Sequence, residues 1–306
     1  MKKRLLWRSP KHNIWAADTR WGRAINFLAL PVHELIVLSR WPWRTKDMPL
    51  DLTGYTLVFE DAFEDGKLDE TIWQSHGEGQ RKGGYWDKSQ TRVETVPGHG
   101  GKLVIRTQYR EDGSYGPGYY SWGAQATQAY ERAYGYFEAR CILPAAQGLW
   151  SAFWLTRGGV RRGVPGTQAT ELDVMESPMW KRHRKEGLIS QNIHYNGYSL
   201  GHRMRNVAVA RAVNPYEQFN TYGLKWTPEE YIFYVNGVET GRSRFGGVCK
   251  EPLYMLLSVE VDGVGGVPCA GWSGNIAKNN PGDLPADFVV DYVRVWEREA
   301  ADGKIH

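Results

Sequence analysis

The chain has 306 residues, 42% of them hydrophobic and 24% charged, with a formal net charge of +4. That balance excludes a disordered or fibrous chain and leaves room for one large domain or two ordinary ones. Three cysteines, Cys141, Cys249 and Cys269, exclude a disulfide framework and show no zinc-ligand spacing, so Cys249–Cys269 is the one bridge to consider.

Residues 1–50 hold ten Lys and Arg against three Asp and Glu, whereas the rest of the chain is slightly acidic. Five tryptophans (Trp7, Trp15, Trp21, Trp41 and Trp43) fall among these charges, and such rings favour burial over a phosphate or lipid surface. The stretch is expected to be an extension packed on the main domain, with a short helix around residues 22–39. A nucleic-acid or membrane-surface arm is the less favoured reading. The apolar run at residues 27–38 is broken by Pro31, His33 and Glu34, too short and polar for a membrane span and poorly placed for a signal peptide. No export signal is therefore expected, and the compartment stays open.

From Gly54 the pattern turns to short strands. Residues 55–59, 102–107 and 133–142 alternate apolar and polar side chains, with Glu64-Asp65-Gly66 marking a turn. Residues 148–155 (GLWSAFWL) put Trp150, Ala152 and Trp154 on one strand face. Residues 157–170 (RGGVRRGVPGTQAT) read as a solvated loop at the edge of whatever lies beside that face. A role in contacting an anionic or branched ligand is the sharper alternative.

Residues 171–176 (ELDVME) pack three carboxylates around an apolar filling of Leu172, Val174 and Met175. In a regular strand Glu171 and Asp173 share a face and Glu176 opposes them. One extra residue near Val174-Met175, a β-bulge, turns all three acids the same way. Like charges held close raise each other's pKa values, a cost that stability alone does not explain. Hydrolysis of a glycosidic bond needs such a set, one carboxylate ionised and one carboxyl protonated. An acidic edge strand with a chance bulge is the plain alternative, and the neighbouring residues weigh against it.

Residues 191–198 (QNIHYNGY) place Asn192, His194 and Asn196 at one parity, a polar face suited to sugar hydroxyls. Metal binding by His194 and His202 is a weaker alternative. Further on, Asn236-Gly237 between two apolar runs signals a hairpin, and residues 253–261 and 288–296 read as strands. Many short strands without βα alternation predict an antiparallel sandwich. The 14 Trp and 17 Tyr suit either a thick core or sugar-stacking surfaces.

These segments together resemble glycoside hydrolase family 16 in its bulged, laminarinase- and endo-β-galactosidase-like branch. ELDVME resembles the family's Glu-x-Asp-x-x-Glu signature. GYFEARCILPAAQGLWSAFWL resembles the two strands before it, and YGLKWTPEEYIFYVNG and FVVDYVRVW resemble later ones. The similarity runs from about Tyr55 to Trp296, which sets a catalytic domain at residues 51–300 and leaves residues 1–50 outside.

The resemblance implies an all-β, concanavalin-like β-jelly-roll sandwich with an open substrate cleft on its concave sheet. It implies endo-acting hydrolysis with retention, Glu171 being the nucleophile, Glu176 the general acid/base and Asp173 the carboxylate that tunes them. Asp173 is expected to hydrogen-bond Glu171. Trp154 matches a stacking tryptophan and Trp86 an aromatic of the non-reducing side, with Glu260 and Trp272 expected near the other side. Trp150, Asn192 and His194 complete the expected substrate contacts. Many members hold a structural calcium ion. Asp291 matches one of its ligand positions, but Ala62 stands where an acid is usual, so no metal or cofactor is expected to be required.

The substrate expected is β-1,3-glucan or mixed-linkage β-glucan. The alternatives are an endo-β-galactosidase acting on a galactan, sulfated galactan or host glycan, and a non-catalytic carbohydrate-binding protein. Transglycosylation uses the same covalent intermediate and stays open. The expected partner is a polysaccharide or oligosaccharide bound by a monomer, with no nucleic acid and no membrane.

Overall fold

The computed structural model describes residues 50–299, apart from residues 97, 159, 179, 182–184 and 279–280. The expected extension and its helix therefore lie outside the described residues. No described helix is long and apolar enough to cross a membrane.

Two sheets, antiparallel but for one parallel pair between Gly84–Trp86 and Gly118–Ser121, pack face to face as a β-jelly-roll sandwich. One has seven strands in the order Arg203–Arg211, Leu188–Tyr195, Glu171–Ser177, Leu149–Thr156, Tyr254–Val261, Gly123–Ala126 and Trp73–Ser75. The other has eleven and is built around the long strand Ala286–Arg298, which pairs with Tyr55–Asp61, Gly100–Arg110 and Gly135–Ile142. Alternation along each strand sends one row of apolar side chains between the sheets. Phe153, Leu155, Leu172 and Val174 from the seven-stranded sheet meet Phe137, Leu224, Phe233 and Val293 from the other, all fully buried. Trp73, Trp122 and Trp226 are also fully buried, so much of the aromatic content serves the core.

The expected strands are present, some with longer ends, as in Gly100–Arg110 and Ala286–Arg298, and some starting later, as in Gly135–Ile142 and Tyr254–Val261. Asn236 and Gly237 both take left-handed φ, at 50° and 73°, as a two-residue hairpin of this twist requires. The sequence pattern did not reveal Gly79–Arg81 and Gly84–Trp86, which are short and glycine-rich and carry little alternation. All three cysteines are free. Cys249 is buried and Cys269 exposed, so the Cys249–Cys269 bridge does not form.

Asp291 does not await a cation. Its Oδ1 lies 2.7 Å from the ammonium of Lys102, which is 1% exposed, and its Oδ2 accepts from Arg140. Two side-chain cations thus occupy both oxygens of the one matching calcium-ligand residue, and with Ala62 offering no carboxylate, these residues do not fit a calcium ion.

Candidate active site

The acid strand Glu171–Ser177 lies third in its sheet, between two strands that set its register from both sides. Against Leu149–Thr156 the pairs run Ala152 with Glu176 and Phe153 with Met175, then jump to Trp154 with Asp173. Against Leu188–Tyr195 they run Glu171 with His194 and Asp173 with Asn192, then jump to Glu176 with Ser190. Val174 is the extra residue, and the bulge expected from parity is present. Leu172, Val174 and Met175 are completely buried, while Glu171, Asp173 and Glu176 all line one cleft of about 710 Å³. That size suits a small-molecule or oligomer site.

A bulge leaves a backbone carbonyl off the ladder, and a buried orphan acceptor is costly. Here the Val174 carbonyl accepts from Gln191 Nε2 at 3.0 Å. Gln191 is fully buried, and its own Oε1 accepts from the Thr240 hydroxyl at 2.5 Å. A buried glutamine thus steadies the bend that aims Glu176. Nothing local in the sequence marks it, because its partner lies 17 residues away.

Each acid has its own partner. Asn192 Nδ2 donates to Glu176 Oε2, and Asn206 Nδ2 donates to Asn192 Oδ1 at 2.9 Å. The Tyr198 hydroxyl donates to Glu171 Oε2. Asp173 Oδ2 lies 3.0 Å from His194 Nε2, and His194 Nδ1 is 2.9 Å from His202 Nε2, the two rings nearly parallel. Asp173 Oδ2 makes no hydrogen bond among the described residues, and the hydrogen bond of this acid is to Glu176. The expected bond from Asp173 to Glu171 is therefore corrected. The bulge brings Glu176 round to the Asp173 side, while Glu171 turns towards Tyr198.

Burial pushes the Glu171 carboxyl above its ordinary range, opposed by His194 and the Tyr198 hydrogen bond and reinforced by the charge of Glu176. Burial pushes Asp173 up much further, and the Glu171 charge adds to it. The strand therefore separates its acids, the central one being pushed further up than the one nearest the tyrosine. Glu171, Asp173 and His194 bring donor atoms within 4.8 Å of one another. We read this set as a proton network, since Glu171 and His194 are already bonded to Tyr198 and His202.

Of the other expected contacts, Trp150, Trp154, Asn192, His194, Glu260 and Trp272 all line the cleft. Trp150 meets the edge of Trp272 at 4.9 Å and lies 4.7 Å from the Lys82 ammonium. Glu260 is buried and accepts from Arg81 Nε at 2.7 Å. Its Oε2 has no hydrogen-bond partner among the described residues and offers an acceptor to a sugar hydroxyl.

Trp86 is the correction. It is 3% exposed, its indole donates to the Val259 carbonyl at 2.9 Å, and it does not line the cleft. It fits inside because Gly123 has no side chain; a Cβ there would come within 2.7 Å of the ring. Above it lies the Arg81 guanidinium, 4.5 Å from the ring centre, so Trp86 supports the Arg81–Glu260 pair instead of meeting sugar. Asn196 also leaves the expected polar face. It adopts φ 65° and ties its turn to the 157–170 loop by accepting from Gly163 N at 2.7 Å. In that loop Arg157 pairs with Glu131 and Glu251, and Arg161 and Arg162 are exposed, as a solvated segment would be.

His76, Arg81, Lys82, Tyr198, Met204 and Tyr254 also line the cleft and escaped the sequence reading. For Tyr198 a signal existed: Asn196-Gly197 marks a turn returning the chain to the acid end of its strand.

The model for "Glycosyl hydrolases family 16" matches residues 82–247. An "Endo-1,3-1,4-beta-glycanase EglC" from Rhizobium meliloti is 30% identical over 172 residues, 56% of this chain and 32% of that relative. A keratan-sulfate endo-1,4-beta-galactosidase from Sphingobacterium multivorum is 26% identical over 250 residues, 80% of this chain and 56% of the relative. The chain thus spans from 32% to just over half of the length of these curated relatives. The structure of an endo-beta-1,3-glucanase from Pyrococcus furiosus aligns with TM-score 0.64 and 25% identity, covering 81% of this chain and 97% of that one. With more than half its length matched by the family model, the chain belongs to the glycosyl hydrolases family 16.

Proposed function

We propose that the protein is a retaining, endo-acting glycoside hydrolase that cleaves internal β-linkages of a polysaccharide. The observation that carries this reading is the bulged strand, which turns three carboxylates into one cleft and gives each a different partner. Glu171, ionised and held by Tyr198, attacks the anomeric carbon as the bond to the leaving oxygen breaks. Glu176 gives its proton to that oxygen, so a glycosyl-enzyme and a shortened chain result. Glu176 then takes a proton from water, whose oxygen displaces Glu171 and restores both carboxyl groups. Asp173 steadies Glu176 by their hydrogen bond. Trp150, Trp154 and Trp272 give apolar faces for sugar rings.

β-1,3-Glucan or mixed-linkage β-glucan is the favoured substrate, on the printed names of the endo-1,3-1,4-β-glycanase and endo-β-1,3-glucanase to which the chain is similar. Similarity to a keratan-sulfate endo-1,4-β-galactosidase along 80% of the chain favours a galactan or host glycan as the second reading. Reducing ends released from laminarin, lichenan, agarose, carrageenan, keratan sulfate and mucin separate the two. Product from laminarin or lichenan is the expected result. Binding without product on any of the six would overturn the hydrolase reading in favour of a carbohydrate-binding protein.

No metal enters the reaction in this reading, and Lys102 and Arg140 take the place of a structural cation at Asp291. EDTA is accordingly expected to leave both turnover and melting temperature unchanged. A fall of several degrees in a thermal melt, reversed by calcium, would show a site elsewhere.

A further inference from the structure

We propose that Tyr198 is a positioning residue for the nucleophile, holding Glu171 in its ionised form and in a single orientation. The inference rests on the assignment of Glu171 above, and it concerns a residue outside the three-acid signature.

Tyr198 sits in the turn between Leu188–Tyr195 and Arg203–Arg211. The turn is built to hold still. Asn196 and Gly197 take left-handed φ of 65° and 82°, and Asn196 Nδ2 donates across the turn to the Gly201 carbonyl at 2.7 Å. The side chain of Tyr198 is more than half exposed, yet its hydroxyl reaches Glu171 Oε2. The Val160 N–H donates to that same phenol oxygen at 3.4 Å. With a donor already on its oxygen, the phenol's single proton is left to point at Glu171. Burial of the hydroxyl, then the Glu171 charge, push the phenol's pKa up, so the proton stays on Tyr198 throughout the cycle.

The groups around Glu171 come from every neighbouring element. Asp173 and Glu176 lie on its own strand, His194 on the next with His202 behind it, Lys82 in the 79–86 turn, and Tyr254 on Tyr254–Val261. Of these groups, the Tyr198 hydroxyl donates a hydrogen bond to the Glu171 carboxylate. With Oε2 held, Oε1 is left to attack. The bond to Oε2 loosens as the glycosyl-enzyme forms and charge leaves the carboxylate. It re-forms when water releases the sugar.

Tyr198→Phe keeps the ring and removes the donor. The Glu171 carboxyl, followed by ¹³C NMR in glutamate-labelled protein and assigned with Glu171→Gln, is expected to titrate about one unit higher in the variant. The acidic limb of kcat/KM moves up with it. Activity then falls about tenfold below that limb and little above it, with the melting temperature at neutral pH lowered by no more than about 6 °C. A merely structural role would lower activity equally at all pH values. An unmoved Glu171 titration in Tyr198→Phe overturns the proposal. If Glu171 titrates higher while Glu171→Gln still turns substrate over, the contact stands and the nucleophile assignment fails instead.

Discussion

Glu171→Gln is expected to lose roughly 10⁴-fold or more in kcat/KM on whichever glycan the wild type cleaves, since no other group can form the covalent intermediate. Glu176→Gln is expected to lose roughly 10²–10⁴-fold, the range for a general acid. Azide tells the two roles apart. In Glu171→Ala, azide enters the space left by the nucleophile and gives the inverted glycosyl azide. In Glu176→Ala, with an aryl leaving group that needs no proton, azide intercepts the glycosyl-enzyme and gives the retained one.

Stability supplies the control. Glu171 has a folded-state pKa raised above its unfolded value, so its contribution is fully present below the unfolded pKa and lost as pH rises through the folded one. At neutral pH the buried charge is therefore a burden, and Glu171→Gln should melt at or above the wild-type temperature. Dead enzyme with a lowered melting temperature would point to misfolding, and retained turnover in Glu171→Gln would sink the assignment.

Asp291→Ala is expected to be strongly destabilising although it lies away from the cleft. Lys102 is 1% exposed, and its ammonium has Asp291 at 2.7 Å and the Gly101 carbonyl at 2.6 Å. Deleting the carboxylate leaves a buried charge without its counter-ion, a loss of about 3–5 kcal/mol. For a domain of this size the melting temperature should fall by roughly 6–20 °C. Calcium should not restore it, since Lys102 and Arg140 still fill the position with positive charge. Lys102→Met in the same chain should recover most of the loss, because two removed charges cost less than one left unpaired. A melting temperature within about 2 °C of wild type for Asp291→Ala would mean that the ammonium reaches water.

The sequence by itself determined the acid strand and its bulge, for a local reason. Strand parity repeats every two residues, so three acids at 171, 173 and 176 with aliphatics between them face one way only if one residue is extra. The same parity placed Trp150 with Trp154 and Asn192 with His194, and all four line the cleft. What only the tertiary structure decided are contacts between residues far apart in the chain. Whether Trp86 meets sugar or core depends on Gly123, which leaves room for its ring. The partner of Glu260 is Arg81, 179 residues away, and Glu171 finds its donor in Tyr198 across a turn. The family resemblance matches Asp291 to a metal-ligand position, but Lys102 and Arg140 reach it from two other strands. Periodicity tells which face a side chain takes, but the neighbour it meets there is set by how the sheets pair and stack.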